Sequence, residues 1–122
     1  MVAVGRVYDE VSDASRRVLV DRLWPRGFRK DDPRIDEWMP EVAPSTELRH
    51  WYGHRAEAYD EFARRYEAEL AQEPAADGFA RLAALVRLEP TTLLTATREV
   101  ELSHLTVLAD LLARLPDDER AR

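Results

Sequence analysis

The apolar positions of this chain follow two rhythms, short β-branched runs and longer stripes with a period near 3.6, and the alternation between them predicts its elements. Val2, Val4, Val7 and Tyr8 mark a first strand over residues 2–8. The polar stretch 9–15 reads as a loop. Residues 17–23 contain the unbroken run Val18, Leu19, Val20, which predicts a second strand covered on both faces. Residues 31–42, carrying Ile35, Trp38 and Met39, are expected to form a short helix with Pro33 near its first turn and Pro40 ending it.

A second short helix is predicted over 44–52, capped by Ser45 or Thr46 and closed by Gly53. Over 55–72, Tyr59, Phe62, Tyr66 and Leu70 share one face of an amphipathic helix, which Pro74 stops. Phe79, Leu82, Leu85 and Val86 repeat that signal over 77–88, and residues 91–96, directly after Pro90, give a third, buried strand. The last helix is expected over 99–115, with Leu105, Leu108, Leu112 and Leu115 on one stripe.

Strands separated by helices predict an α/β fold. The expectation is a single domain over 1–116, a small, mainly parallel or mixed sheet packed with helices in Rossmann-like layers, and a loose tail over 117–122. The 9–15 loop is too short for a helical crossover, so the first two strands either form a hairpin or are not neighbours in the sheet.

Composition narrows the function. At 122 residues, 45% hydrophobic and 34% charged, the chain is expected to be one soluble globular domain. No apolar run approaches the ~20 residues that span a membrane. The first residues lack the pattern of a signal peptide, so a cytoplasmic location is expected. The absence of cysteine excludes thiolate nucleophiles, disulfides and Cys-ligated metals. Three histidines without H-x-x-x-H or H-E-x-x-H spacing predict no bound metal. Four scattered glycines do not make a dinucleotide or phosphate loop, so no cofactor is predicted. A net charge of −6 argues against a general nucleic-acid coat but leaves room for a local anion site.

The end of the second strand suggests such a site. Asp21, Arg22, Leu23, Trp24, Pro25, Arg26 and Gly27 follow the Val-Leu-Val run, and Arg22, Arg26, Arg29 and Lys30 place four cations within nine residues. Ligands of open α/β sheets sit beyond the carboxyl ends of strands. A second such end is Ala96, Thr97, Arg98 and Glu99. If the two strands are neighbours, Arg22, Arg26, Thr97 and Arg98 surround one oxyanion, which guanidinium groups grip in a planar, bidentate way. The alternative is that Asp21 pairs with one of these arginines as scaffold while the rest are solvated. Trp51 and His54, around Gly53, offer a stacking surface and a proton carrier. The alternative, which lone residues of these types favour, is that Trp51 fills the core and His54 caps the next helix. His104 falls on or beside the apolar face of the last helix, as a hydrogen-bonded core residue or as an acid–base group.

The strings Val18-Leu-Val-Asp-Arg-Leu-Trp-Pro-Arg-Gly27 and Ala43-Pro-Ser-Thr-Glu-Leu-Arg49, with Arg6-Val-Tyr8, Trp51-Tyr-Gly-His54 and Thr92-Leu-Leu94, resemble the DUF488, or YeaO-like, family of small bacterial proteins. The resemblance covers nearly the whole chain. It implies an α/β fold, a cytoplasmic location and no established molecular activity. Related sequences tend to carry E-H-[SN]-[HN] after the last strand. Here that stretch is Glu101-Leu-Ser-His104, with Leu102 where a histidine is expected. A mechanism needing two histidines on this helix is thereby put in doubt, while His104 remains.

The leading expectation is a ligand-binding or enzymatic domain for a small anionic or phosphorylated molecule. Asp21, Arg22, Trp24, Arg26, Trp51, Thr97 and Arg98 would bind it, and His54 and His104 would handle protons if there is a reaction. The rival is a non-catalytic regulatory or nucleic-acid-associated module using the basic patch over 22–30. No membrane partner is expected, and the oligomeric state is left open.

Overall fold

The structure is a computed structural model that describes residues 2–9 and 14–115. Its strands are β1 (Val2–Arg6), β2 (Arg16–Leu19), β3 (Glu37–Trp38) and β4 (Thr91–Thr95). Its helices are α1 (Thr46–Tyr52), α2 (Tyr59–Leu70), α3 (Ala75–Leu88) and α4 (His104–Ala113), with short 3-10 turns at Pro40–Val42, Ala56–Ala58 and Val100–Leu102. The sheet runs β1-β4-β2-β3 and every pairing is parallel, an α/β single-domain arrangement. Since β4 lies between β1 and β2, the first two strands are not neighbours and form no hairpin.

Alternation along β2 and the residue after it divides side chains between two cores. Val18 and Val20 join Leu93 of β4 in the large core with Phe62, Tyr66, Leu82, Leu105 and Leu108 of the helices. Leu19 and Leu94 point the other way, to a small cluster with Val7 that Trp24, Phe28 and Ile35 cover. Those three belong to the segment 20–36 between β2 and β3. The Val-Leu-Val run is therefore buried on both faces, but a loop roofs the second face where a helix would ordinarily lie.

The helix expected over 31–42 is absent. Its backbone donors serve β2: Asp36 N–H reaches the Arg17 carbonyl at 2.8 Å and Met39 N–H the Leu19 carbonyl at 2.9 Å. Glu37–Trp38 thus becomes a fourth strand. Ile35 packs in the small cluster and Met39 in the large one, on opposite faces of the sheet, so their helix-like spacing marks no common face. The single helix expected over 99–115 is also broken. Ser103 caps α4 by accepting the Leu105 N–H at 3.1 Å, which starts the helix at His104. The β2 ladder ends at Leu19, short of the expected Leu23, although Val20 N–H still donates to the Leu94 carbonyl at 3.0 Å. Residues 10–13 of the expected loop and the tail over 117–122 lie outside the described residues. Among the described residues, no helix is long and apolar enough to cross a membrane.

β1 is an edge strand, and Asp9 blunts its end. The Asp9 carboxylate accepts the Arg6 N–H at 3.0 Å while the Asp9 N–H donates to the Arg6 carbonyl at 3.1 Å. This satisfies the outward backbone groups of Arg6 at the end of the strand and fixes the turn that carries Tyr8.

Gly78 sets the approach of α3 to the Pro40–Val42 turn. A Cβ there would lie 2.6 Å from Glu41 Cγ and 2.9 Å from Val42 Cγ2, and Val42 is wholly buried. Alanine normally favours a helix over glycine by about 1 kcal/mol. Here Gly78→Ala should instead destabilise the protein by about 1–2 kcal/mol through overpacking, as measured by chemical denaturation. A neutral or stabilised variant would contradict the close packing.

Candidate functional site

One carboxylate ties the carboxyl ends of β2 and β4 together. Asp21, two residues past β2, accepts the Thr95 hydroxyl at 2.8 Å and the Ala96 N–H at 2.8 Å. Its own carbonyl accepts Trp38 Nε1–H at 2.7 Å, from β3. Among the described residues Asp21 pairs with none of the neighbouring arginines. Its titratable neighbour is His104, whose Nε2 stands 3.5 Å from Asp21 Oδ1.

His104 sits in the first turn of α4, 7% exposed, because the chain restarts its helix at Ser103. Nε2 bonds the Val20 carbonyl, which requires the tautomer with hydrogen on Nε2. The ring stands edge-on to buried Tyr66 at 6.0 Å. Burial lowers the imidazole pKa from its ordinary value, and Arg49 adds to that; Asp21 and the Val20 carbonyl pull it up. Burial dominates, so the imidazole is held neutral.

The arginines are divided in role. Arg22 donates from Nε to the Pro44 carbonyl at 3.1 Å and from Nη2 to the Ala43 carbonyl at 3.0 Å, which pins the lead-in to α1 against the end of β2. Arg26 stands in a turn closed by Phe28 N–H on the Pro25 carbonyl at 3.3 Å. Gly27 takes φ +87 there, a conformation that side chains rarely adopt, which explains the glycine in the motif. Trp24 braces the same turn, its Nε1–H donating to the Phe28 carbonyl at 2.9 Å and its ring edge-on to Trp38 at 5.4 Å. The turn holds Arg26 out into the cleft.

These elements enclose a cavity of about 450 Å³ at the carboxyl edge of the sheet. Arg22, Arg26 and Arg49 line it, with Tyr8, Leu23 and Pro25 at one flank and Tyr52, Phe62, Leu102 and His104 among its other walls. Of the residues expected from sequence, Asp21, Arg22, Trp24, Arg26, His54, Thr97 and His104 come together here. His54 is exposed in a left-handed conformation, φ 59. Trp51 and Arg98 do not line the cavity. Trp51 packs on the large core between the guanidinium groups of Arg55 and Arg65, 5.0 and 4.2 Å from its ring centroid. Arg98 is exposed beyond the β4 end.

Sequence reasoning missed Tyr8 and Arg49. Applying the strand-end rule to β1 as well as to β2 and β4 identifies Tyr8. Arg49 has no such local signal, because only the packing of α1 beside the strand ends brings it there.

A family model described as the inactive DUF488-N3 subclade matches residues 1–122. The chain belongs to the DUF488-N3i family. It is 51% identical over 112 residues to the uncharacterised protein Rv3073c of Mycobacterium tuberculosis, covering 91% of this chain and 92% of that one. It is 46% identical over 112 residues to the uncharacterised protein YeaO of Escherichia coli, covering 90% and 95%. No solved structure matches the chain.

Chemically, most polar groups in the walls of this DUF488-N3i cleft are already used. Tyr52 Oη donates to the Leu102 carbonyl at 2.7 Å and Ser103 Oγ to the Val100 carbonyl at 2.7 Å. Burial raises the pKa of the Tyr52 hydroxyl, so it stays protonated. Asp21 and His104 lie side by side, but no group of three His, Asp or Glu that could hold a metal ion occurs among the described residues. The guanidinium groups of Arg26 and Arg49 have no hydrogen-bond or ion-pair partner among the described residues.

His104 gives the fold a pH dependence. Its lowered folded pKa means that the unfolded chain binds the proton more readily. The stability it confers is complete above about pH 6.5, the ordinary imidazole value, and is lost as pH falls through the lower folded value. Thermal unfolding should show that loss as pH falls below about 6.5, and His104→Gln should flatten it. An equally steep loss in the variant would place the titration elsewhere.

Proposed function

We propose that the chain is a non-catalytic binding module for a small anionic or phosphorylated molecule, held at the carboxyl ends of β2 and β4. The observation that carries this reading is three arginines lining one cavity, two of them without partners, in a chain of net charge −6. Arg26 and Arg49 are both exposed, so what favours an oxyanion is that these guanidinium groups meet at one cavity with no partner competing for them. The only carboxylate among the described lining residues, Asp21, spends both oxygens on Thr95 and Ala96 and so competes little for the arginines.

Binding rather than turnover is supported in two ways. The family is described as an inactive subclade. The buried polar groups that a reaction would need, His104, Tyr52 and Ser103, all bond backbone carbonyls. In this reading His104 positions the strand ends, and His54 stands at the rim. A cytoplasmic location, where phosphorylated metabolites are plentiful, fits the same reading.

The nucleic-acid alternative has less support, because its basic patch is dispersed. Arg22 is turned to the Ala43 and Pro44 carbonyls, and Arg29 pairs with Asp31 at 3.5 Å.

Calorimetric titration with inorganic phosphate and a panel of phosphorylated metabolites tests the proposal. At least one should bind, and Arg26→Ala combined with Arg49→Ala should weaken that binding by at least about tenfold without lowering thermal stability. Unchanged affinity in the double variant would overturn it, as would salt-dependent DNA or RNA binding in the absence of any small-anion binding.

A further inference from the structure

We propose that the anion taken by this cleft carries a planar aromatic group, which stacks on Tyr8 while its charged end reaches the arginines. The inference rests on the anion-binding reading above and adds the class of ligand.

Size is the first observation. The cavity of about 450 Å³ equals roughly fifteen water volumes at about 30 Å³ each, and a bare oxyanion is only a few times the size of a water. Most of the space is left for an organic part.

The second observation is the state of Tyr8. It lines the cavity and is 42% exposed, yet its ring is held from several directions. The Arg6 guanidinium lies over it at 5.0 Å, Phe28 meets it edge-on at 5.4 Å, and its hydroxyl donates to the Arg26 carbonyl at 3.3 Å. Arg6 is itself fixed by the Thr97 carbonyl at 3.2 Å and the Ala96 carbonyl at 3.3 Å. A large aromatic surface that is both exposed and ordered takes a flat partner without paying to immobilise its own side chain.

The third observation is the arrangement of charge. Arg22 and Arg49 stand at the α1 side of the cavity, Arg22 through its bonds to the residues just before α1 and Arg49 on the helix itself. Tyr8 stands on the opposite side, joined to the Arg26 turn, with the exposed Leu23 and the buried Pro25 of the same loop also lining the cavity. A molecule with an anionic end and a flat apolar end matches that polarity. A sugar phosphate, polar throughout, would leave Tyr8 and Leu23 without a suitable partner.

Titration of the wild-type protein with phenyl phosphate, inorganic phosphate and phenol provides the test. Phenyl phosphate should bind about tenfold more tightly than inorganic phosphate, and phenol far more weakly than phenyl phosphate. Tyr8→Ala should abolish the preference, bringing phenyl phosphate and inorganic phosphate to about equal affinity, with thermal unfolding of the variant checking that it still folds. Tyr8→Phe keeps the ring and should keep the preference. Equal binding of the two phosphates by the wild type, or a preference that survives Tyr8→Ala, would overturn this inference and leave the anion-binding reading standing. Phenol binding as tightly as phenyl phosphate would overturn the anionic end. Failure of both phosphates and of every metabolite in the panel would overturn both readings.

Discussion

Much of this structure converges on the carboxylate of Asp21. It accepts from Thr95 and Ala96 at the end of β4, its carbonyl takes the indole N–H of Trp38 on β3, and His104 of α4 stands beside it. Three elements distant in sequence therefore meet at one residue that follows β2. Hydrogen bonds to an ionised acceptor are worth about 1.5–3 kcal/mol each, and losing one partner here would strand the other polar groups in a largely buried place. The carboxyl edge of the sheet has its shape because this contact is made.

The loop 20–36 depends on the same anchor. A parallel β2–β3 pair ordinarily takes a helical crossover, and this one has none. Trp24, Phe28 and Ile35 do the covering that a helix would do, and the turn at Gly27 lets the loop return across the small cluster. Within one heptapeptide the residues thus divide several tasks. Asp21 clamps, Arg22 pins the approach to α1, Trp24 braces, Pro25 and Gly27 shape the turn, and Leu23 and Arg26 face the cleft. The division explains how a run with two arginines keeps one of them free of partners.

The large helices and the long strands were legible because each buries one continuous stripe or run. Tyr59, Phe62, Tyr66 and Leu70 predict α2, and Thr91–Thr95 matches its expected strand almost to the residue. The errors have a common origin in contacts that cross the sheet. Ile35 and Met39 look like one helical face but belong to opposite cores. Ser103 reads as an interior residue of a long helix, yet its hydroxyl caps α4 and so delivers His104 to the end of β2. At the candidate site, the residues adjacent to the ends of β2 and β4 were found from strand-end logic. Arg49 was not, because its position depends on how α1 docks, and of the two readings of Trp51 the structure shows the core one, with two arginines against its ring.

The clamp also makes a prediction that simple electrostatics reverses. Asp21→Asn removes a negative charge from a cavity lined by three arginines, so charge alone would tighten anion binding. It also turns an amide N–H₂ toward a donor that the carboxylate accepts, loosening the joined ends of β2 and β4. Titration of inorganic phosphate into the wild type and Asp21→Asn, side by side, separates the two. Weaker binding by Asp21→Asn is the result expected if the clamp builds the site. Binding as tight as the wild type's, or tighter, would contradict it.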